Sequence, residues 1–528
     1  MDSSGQAASA SGSEHPRKQL VLVAMIFAVA MIFIDQTIVA IAAPELTNDL
    51  SLSQTGVQWI INGYLLALSA LFAFGGRLSD IIGHRRMVVI GVVVFATSSA
   101  LCGATPDGSV SEAWIIVFRV IEGAGAALMF PAALAIVIGS FPLHERGRAM
   151  AIFFAVAGGL TSVGPIAGGY LTEWTWRAIF WVNIPVAIIA LILIAIAKPV
   201  SARNPAPLDY RGTVLVAGGM GLGVLGLQQS STWGWDSPAT WGCIAAGLAL
   251  LIAFVAYELR VPNPLIRVRI FQDRGFAIDN AVLFLSMIAF VPLFFFASMY
   301  AQISLGESAS NAGLYLLIFF AGFAGAAQIG GRILDRVGAR PAVVLGCLVG
   351  AIGFALWARE LPDLSVDSQW PYIVLSGAGI GFLLGPANTD AVSRAPATRY
   401  GEATGITQTV RNFGSSIGLA VMGTILITSN RSHIESTLGA EGIPKSTADE
   451  VAHAVTQSGG GDSGSFGEHA GERAREIFDA VQLDFAYASR VVFLVMAGAL
   501  ALAFVVALIG LPKGRLEEVP EPPADRPS

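Results

Sequence analysis

Long apolar stretches separated by short polar segments recur along the whole chain of 528 residues. A helix that crosses a bilayer needs about 20 mainly apolar residues, since no water is present there to satisfy its backbone. Fourteen stretches meet this requirement, and we predict an all-α polytopic membrane protein with one spanning helix in each. They are residues 18–42, 56–76, 87–105, 113–138, 149–171, 177–197, 210–230, 240–258, 275–300, 311–330, 341–359, 370–394, 402–428 and 486–511.

The composition agrees with this pattern. Hydrophobic residues make up 54% of the chain and charged residues only 13%, against about 25% charged in ordinary soluble domains. These values exclude a disordered chain, a nucleic-acid-binding protein and a typical soluble enzyme. The sequence contains neither a catalytic constellation nor the Gly-Lys dipeptide of a P-loop ATPase. We therefore expect no enzymatic activity, no cofactor, no metal and no nucleic-acid partner.

The basic residues predict the orientation. An even number of spans places both termini on one side, and twenty-two of the 31 Lys and Arg residues fall in the segments on that side. Lys and Arg accumulate in cytoplasmic loops. We therefore predict cytoplasmic N- and C-termini and a location in the cell membrane.

Three segments lie outside the spans. Residues 1–19 are rich in Ser, Gly and Ala and are predicted to form a disordered cytoplasmic tail, and residues 512–528 form a second tail. Residues 429–485 form the one long external loop. This loop is interpreted either as a solvated connector or as a gate or docking surface.

One pattern, Gly-x-x-x-Asp-x-x-Gly-x-Arg, occurs twice at a cytoplasmic junction between spans. Internal repeats of this kind are typical of secondary transporters. The copies are eight spans apart, which predicts a bundle of six helices (20–200), two additional linker helices (201–260) and a second bundle of six (261–511). The candidate conformational-switch residues are Gly76, Asp80, Gly83, Arg85, Gly331, Asp335, Arg336, Gly338 and Arg340.

The aspartate of each copy stands at a helix end. There it can accept hydrogen bonds from a neighbouring helix N-terminus and pair with arginines, so that it stabilises one conformation and is released in another. The alternative is a basic loop that only sets the topology. No histidine falls in a predicted span, since His84 and His144 are assigned to loops.

Three charged residues lie deep within predicted spans. At 1.5 Å per residue, Asp35 and Glu122 are expected to lie roughly 25 Å from the inner boundary of the membrane. Arg119 is expected about one helical turn further out. Placing a charge at the membrane centre costs about 2.5 to 3.5 kcal/mol, so charged residues there indicate a functional role. We predict a proton-coupling or cation-sensing role, with a static ion pair between spans one and four as the alternative.

Other candidates are less marked. Asp279 lies about one turn into span nine, from where it can reach water. Arg411 in span thirteen is expected to bind an anion or to pair internally. Gly164, Pro165, Gly168 and Gly169 predict a close helix–helix seam in span five. The aromatic residues of spans nine and ten either line an apolar pocket or face lipid; they are Phe294, Phe295, Phe296, Tyr300 and Tyr315.

The motifs in their order resemble those of the major facilitator superfamily, specifically its fourteen-span drug:proton antiporter branch. The first repeat copy is similar to the loop motif of that superfamily. Further similarities are residues 34–39 in span one, 119–127 in span four, 164–169 in span five and 176–185 at the start of span six. The resemblance covers nearly the whole chain.

This resemblance implies the major facilitator fold in a 6+2+6 arrangement and export of lipophilic or cationic small molecules, such as antibiotics, in exchange for protons. The expected partners are a small-molecule substrate, protons and the lipid bilayer. Two alternatives stay open. The chain is an uptake symporter or uniporter of the same fold, or a sensor or scaffold that transports nothing.

Overall fold

The computed structural model describes residues 17–50, 52, 54–199, 209–261, 264–307, 309–396, 399–440 and 472–515. Every regular element in these ranges is helical, which confirms the predicted all-α class. The helices are α1 (Lys18–Leu50), α2 (Gln54–Ile82), α3 (His84–Gly103), α4 (Ser111–Ser140), α5 (Leu143–Trp174), α6 (Ala178–Trp181), α7 (Asn183–Ala197), α8 (Tyr210–Trp233), α9 (Pro238–Glu258), α10 (Arg274–Ile303), α11 (Ala309–Val337), α12 (Ala339–Glu360), α13 (Val366–Ser393), α14 (Tyr400–Ala440) and α15 (Glu472–Gly510). Two short 3-10 helices cover Val268–Gln272 and Leu361–Asp363.

Thirteen segments of the described chain are long and apolar enough to cross a membrane, with α6 and α7 forming one of them. The remaining predicted span, 149–171, falls within the 32-residue helix α5, and several side chains of α5 lie outside the description. The count of fourteen and the placement of the termini therefore stay predictions.

Outward-facing positions of these helices are apolar. Ile188 and Ile192 of α7 are half exposed, as are Leu248 and Ile252 of α9 and Leu502 of α15. A soluble protein would carry polar side chains on such faces. Hydrocarbon around the bundle accounts for them, because an apolar side chain loses nothing when it is exposed to lipid.

The helices pack as two similar groups. In the first, α4 packs on α2 and α3, and α1 packs on α5 and α7. In the second, α13 packs on α11 and α12, and α10 packs on α14 and α15. The two groups meet where α5 contacts α11 and where α2 contacts α14. The predicted domain boundaries at 200 and 260 stay predictions.

The linker helices α8 and α9 pack on each other, and α8 also packs on α2 and α14. Glycines allow their close approach, since a Cβ atom at Gly247 would lie 2.5 Å from the backbone nitrogen of Gly223. Small residues at a helix–helix contact are common in membrane bundles.

Three sequence assignments need correction. Helix α14 continues to Ala440 and α15 begins at Glu472, so both ends of the predicted loop 429–485 are helical, while 441–471 lies outside the described residues. Lys18 already belongs to α1, so the predicted tail 1–19 overlaps the first helix. His84 is the first residue of α3 and is buried, and His144 lies in the first turn of α5. Gly83 directly precedes α3 and Pro142 directly precedes α5, so each helix begins immediately after the residue that interrupts the chain and includes its histidine.

Candidate functional site

The three charged residues predicted deep in the membrane are in direct contact. Nη1 of Arg119 donates to Oδ2 of Asp35 at 2.6 Å and to Oε2 of Glu122 at 2.8 Å. None of the three residues is more than 1% exposed. Since Asp35 belongs to α1 and the other two to α4, the contact joins two helices. We call these three residues the deep triad.

Helix α2 completes the surroundings of the deep triad. Arg119 Nε donates to the carbonyl of Ile60 at 3.0 Å, and its guanidinium lies 4.4 Å from the ring centroid of Tyr64. A Cβ atom at Gly123 would collide with the carbonyl of Tyr64. This glycine therefore allows α2 to approach α4 closely enough for Tyr64 to cover the guanidinium.

The deep triad holds one guanidinium between two carboxylates. When both acids are ionised, the group carries one net negative charge in a place that water does not reach, which is costly. Within the described residues, Asp35 Oδ1 and Glu122 Oε1 have no hydrogen-bond partner. One proton on either acid would make the group neutral, so the geometry suits reversible proton binding.

Asp279 belongs to a second buried cluster. Arg394 Nη2 lies 2.8 Å from Asp390 Oδ2, its Nη1 lies 3.3 Å from Asp273 Oδ1, and its Nε lies 3.7 Å from Asp279 Oδ2. A Cβ atom at Gly275 would collide with the guanidinium, so Arg394 crosses directly over the first turn of α10. We call these four charged residues the Arg394 cluster.

The expectation that Asp279 reaches water is wrong, because its side chain is fully buried. The neighbouring arginine and the end of α13 cover it. In the structure the predicted span 370–394 ends at Ser393, so Arg394 lies just outside it. Burial lowers the pKa of Arg394, but Asp390 and Asp279 raise it more, so the net shift is upward. The guanidinium therefore stays charged.

The first copy of the repeat connects the two halves. Asp80, at the end of α2, accepts hydrogen bonds from the backbone nitrogens of Gly401 at 2.9 Å and Glu402 at 2.7 Å, at the start of α14. A Cβ atom at Gly76 would collide with the carbonyl of Gly401. Gly83 has a φ of 108°, a left-handed conformation that glycine adopts without strain, and it separates α2 from α3.

The second copy makes the same contact with the roles of the halves exchanged. Asp335, at the end of α11, accepts hydrogen bonds from the backbone nitrogens of Gly147 at 2.9 Å and Arg148 at 3.2 Å, at the start of α5. A Cβ atom at Gly331 would lie 2.5 Å from the carbonyl of Gly147. Gly338 has a φ of 98°. Together the two contacts hold the halves together on the predicted cytoplasmic side, and we call them the paired latch.

The predicted switch arginines contribute less directly to this latch. Arg340 donates to the carbonyl of Leu508 on α15 at 2.7 Å, and Arg336 is exposed. The arginine that the sequence analysis missed is Arg77, which lies 3.7 Å from Glu402 Oε2 across the interface between the halves. The sequence does contain a signal for the segments that donate to the two aspartates: Gly-x-Ala occurs at the start of both α5 (147–149) and α14 (401–403).

The predicted seam in α5 contacts α1. A Cβ atom at Gly164 would collide with Oγ1 of Thr37, two residues after Asp35. Gly168 is buried, while the side chain of Pro165 and the surroundings of Gly169 lie outside the description. Close packing of α5 on α1 thus reaches the helix that carries Asp35.

The aromatic candidates lie in four different surroundings. Phe294 stacks on Phe320 with ring centroids 5.4 Å apart, within a cluster between α10 and α11. Phe295 is 55% exposed on the outer face, as the lipid-facing alternative predicts. Phe296 is buried in the core. Tyr300 and Tyr315 both hydrogen-bond to Gln369 of α13, at 2.7 and 2.6 Å.

Arg411 lies on α14 and faces both halves. Its Nη1 donates to Oε1 of Gln408 at 3.0 Å, and its guanidinium lies 5.4 Å from the ring centroid of Phe154 on α5. Nη2 contacts Sδ of Met287 on α10 at 3.8 Å. Internal pairing with an acid, one of the two sequence-based alternatives, is not seen among the described residues.

Comparison with known proteins supports the assignment that the motifs suggested. The Major Facilitator Superfamily model matches residues 25–419. The tetracenomycin C resistance and export protein of Streptomyces glaucescens is 34% identical over 77% of this chain and 75% of its own length. The puromycin resistance protein pur8 of Streptomyces alboniger is 32% identical over 84% of this chain and 88% of its own.

The fold is also found among solved structures. The proton:xylose symporter XylE aligns with a TM-score of 0.56 at 14% identity, over 85% of this chain and 95% of that one. At such low identity the likeness concerns the fold alone. The sequence-based resemblance and the multi-pass membrane localisation are confirmed: this chain belongs to the major facilitator superfamily, and its relatives include proteins named for antibiotic resistance and export.

Proposed function

We propose that this protein exports lipophilic or cationic small molecules, such as antibiotics, in exchange for protons and by alternating access. The observation that carries the proposal is the deep triad, in which two carboxylates share one guanidinium out of reach of water. The family supports the transport class, and the names of two relatives, one for tetracenomycin C resistance and export and one for puromycin resistance, support the kind of cargo.

The deep triad links proton binding to helix movement. A proton on Asp35 removes the charge that Arg119 holds, and Arg119 then pairs with Glu122 on its own helix alone. The ion pair between α1 and α4 is thereby lost. Because α1 packs closely on α5 near Thr37, a shift of α1 is passed to α5, which carries one half of the paired latch.

The paired latch supplies the conformational step. With both contacts formed, the halves are closed on the predicted cytoplasmic side. Opening to that side requires Asp80 and Asp335 to give up four backbone hydrogen bonds. In the proposed cycle, cargo leaves and protons enter from the opposite side while the latch is closed.

The proposal needs no cofactor and no chemical reaction. The proton gradient is the energy source, and the protein binds and releases protons and cargo without changing them. No catalytic role is assigned to any residue.

Transport in proteoliposomes tests the proposal. With an imposed pH gradient, we expect D35N and E122Q each to abolish proton-driven export of a fluorescent cationic dye, since the one remaining acid forms a neutral pair with Arg119 and the excess negative charge that favours proton binding is gone. The matched control is D367N, the same change at an exposed position in the first turn of α13. Undiminished dye-dependent proton flux in both triad variants would refute the proposed coupling.

The same vesicles decide between the alternatives. In an antiporter, proton and dye move in opposite directions, whereas in an uptake symporter they move together, and in a uniporter the pH gradient has no effect. A sensor or scaffold would move no dye. Deletion of 441–471, which leaves α14 and α15 whole, is expected to preserve transport; its loss would favour a gating role for the loop.

A further inference from the structure

Arg411 lies near the middle of the membrane, between the two halves. It follows the start of α14 by 11 residues, or roughly 17 Å at 1.5 Å per residue. Phe154 of α5 belongs to the first half, whereas Met287 of α10 belongs to the second, and both contact the guanidinium. Secondary transporters bind their substrates near the midplane, at the interface between repeats.

The charge of Arg411 is not balanced locally. Arg119 contacts two carboxylates and Arg394 contacts three, but no described carboxylate lies within 4.0 Å of Arg411. Its polar contacts are a neutral amide oxygen and a thioether sulfur. A charged side chain at this depth in the membrane costs free energy, so its presence indicates a function.

Hydrogen-bond donors without acceptors accumulate around this arginine. Gln408 donates to Oδ1 of Asn388 at 3.3 Å and accepts from Arg411, so the three side chains form one chain. Within the described residues, Nε of Arg411 and Nδ2 of Asn388 are both buried and have no partner. Asn388 is fully buried. Buried polar atoms are normally satisfied, so unmatched donors at both ends of one chain indicate a missing acceptor.

The same face of α14 is polar over two turns. Thr404 and Thr407 precede Arg411 by seven and four residues, which places all three on one side of the helix. Both threonines are fully buried, and their hydroxyl groups have no partner among the described residues. A hydroxyl group can donate to an anion or hold a water beside it.

We infer that Arg411, Asn388 and Gln408 form a binding subsite for an anionic group, such as a carboxylate or an ionised phenol, on the exported molecule. The guanidinium fork suits a carboxylate, which it can bind through two parallel hydrogen bonds. Phe154 and Met287 offer apolar surface beside it for the rest of the cargo. The inference rests on the proposed export function and adds to it that, among lipophilic or cationic cargo molecules, those that also include an anionic group bind more tightly.

Two dyes that differ in one group provide the test. The probes are a rhodamine with a free carboxylate and its methyl ester, and binding to the full chain in lipid nanodiscs is measured by fluorescence polarisation. We expect the wild type to bind the carboxylate dye more tightly. R411Q should weaken that binding about tenfold to a hundredfold, as loss of a charge-assisted hydrogen-bond pair does, and should leave the ester nearly unchanged. R359Q, at an exposed arginine at the end of α12, is the matched control.

A second variant does not remove the arginine. N388D places a carboxylate at the other end of the hydrogen-bonded chain, where it competes with the cargo for Arg411. We expect it to weaken binding of the carboxylate dye as R411Q does, whereas R411K, which keeps the charge but not the fork, should retain part of the affinity. Melting temperatures identify any variant that fails to fold.

The outcomes separate the inference from the proposed function. Equal affinity of the wild type for the two dyes, no binding of the carboxylate dye, or an equal loss for both dyes in R411Q overturns the subsite. If the ester is still exported under a pH gradient in such a case, the proposed function stands without the subsite. If a pH gradient moves neither dye nor a cationic dye through the wild type, the proposed function fails.

Discussion

The deep triad and the Arg394 cluster are built on corresponding helices. The first lies on α1 and α4, the first and fourth helices of one half, and the second on α10 and α13, which hold the same places in the other half. Their depths differ. Arg119 lies 8 residues inside its helix and its side chain is 2% exposed, whereas Arg394 lies just beyond the end of α13 and is 12% exposed.

This difference in depth separates two uses of the same chemistry. At the end of a helix, half-exposed Asp273 lets water share the charge of the cluster. No member of the deep triad is exposed, so in the proposed mechanism its protonation state decides whether α1 and α4 stay paired. The number of carboxylates matters less than the access of water to them.

The largest difference between the deep triad and the Arg394 cluster is expected in the rate of transport. D35N is expected to abolish proton-driven export, while D279N should retain most of it, because Asp390 and Asp273 still neutralise Arg394 when Asp279 is changed. Export rates in proteoliposomes under one pH gradient check this. Equal loss in the two variants would show that both clusters take part in coupling.

The second-largest difference between the deep triad and the Arg394 cluster is expected in the free energy of unfolding. R119Q leaves two buried carboxylates without their partner, which is expected to cost about 3–5 kcal/mol of unfolding free energy. R394Q also leaves Asp279 and Asp390 buried, but half-exposed Asp273 keeps the cluster next to water, and we expect a smaller loss of about 1–3 kcal/mol.

Thermal unfolding of the purified proteins, with R359Q as the exposed control, compares the two changes. An R394Q variant that unfolds as readily as R119Q would contradict the argument from depth.

The paired latch allows a finer comparison between the halves. Asp80 is fully buried, whereas Asp335 is partly exposed. Hydrogen bonds to a charged group contribute more where water is excluded, so D80N should lower the closed population about tenfold and D335N less than about threefold.

Spin labels at positions 86 and 332, both exposed on the predicted cytoplasmic side, report the distance between the halves. The reverse ranking of the two variants would show that burial does not set the strength of the latch.

The smallest effect is expected at Gly275. G275A displaces the guanidinium of Arg394 without removing any charge, and the long side chain can move aside. We expect a loss below about 1 kcal/mol, in the range of a weak ion pair. A larger drop in melting temperature would mean that the position of Arg394, and not only its charge, stabilises the end of α10.

The sequence was informative where one helix or one charge carries the signal. The spans follow from local hydropathy, the repeat from its fixed spacing, and the deep triad from the cost of Asp35, Arg119 and Glu122 in hydrocarbon. None of these features depends on which helices pack against each other.

Contacts between distant segments could not be predicted in this way. Asp80 binds backbone nitrogens more than 300 residues away, and backbone donors leave no mark on residue type. Asp279 is buried by Arg394, which only the packing of α10 on α13 reveals. The loop assignment of His84 failed because a single glycine is enough to separate α2 from α3.

The paired latch also bears on how freely this protein can change during evolution. Its four donors are backbone N–H groups, so at Arg148 and Glu402 any residue except proline supplies the same donor. Glycine is needed where the helices touch, at Gly76 and Gly401 in one contact and at Gly147 and Gly331 in the other. Selection can therefore vary the charge at exposed Arg148 while the hydrogen bond is kept, whereas at buried Glu402 a change of charge would remove the ion pair with Arg77.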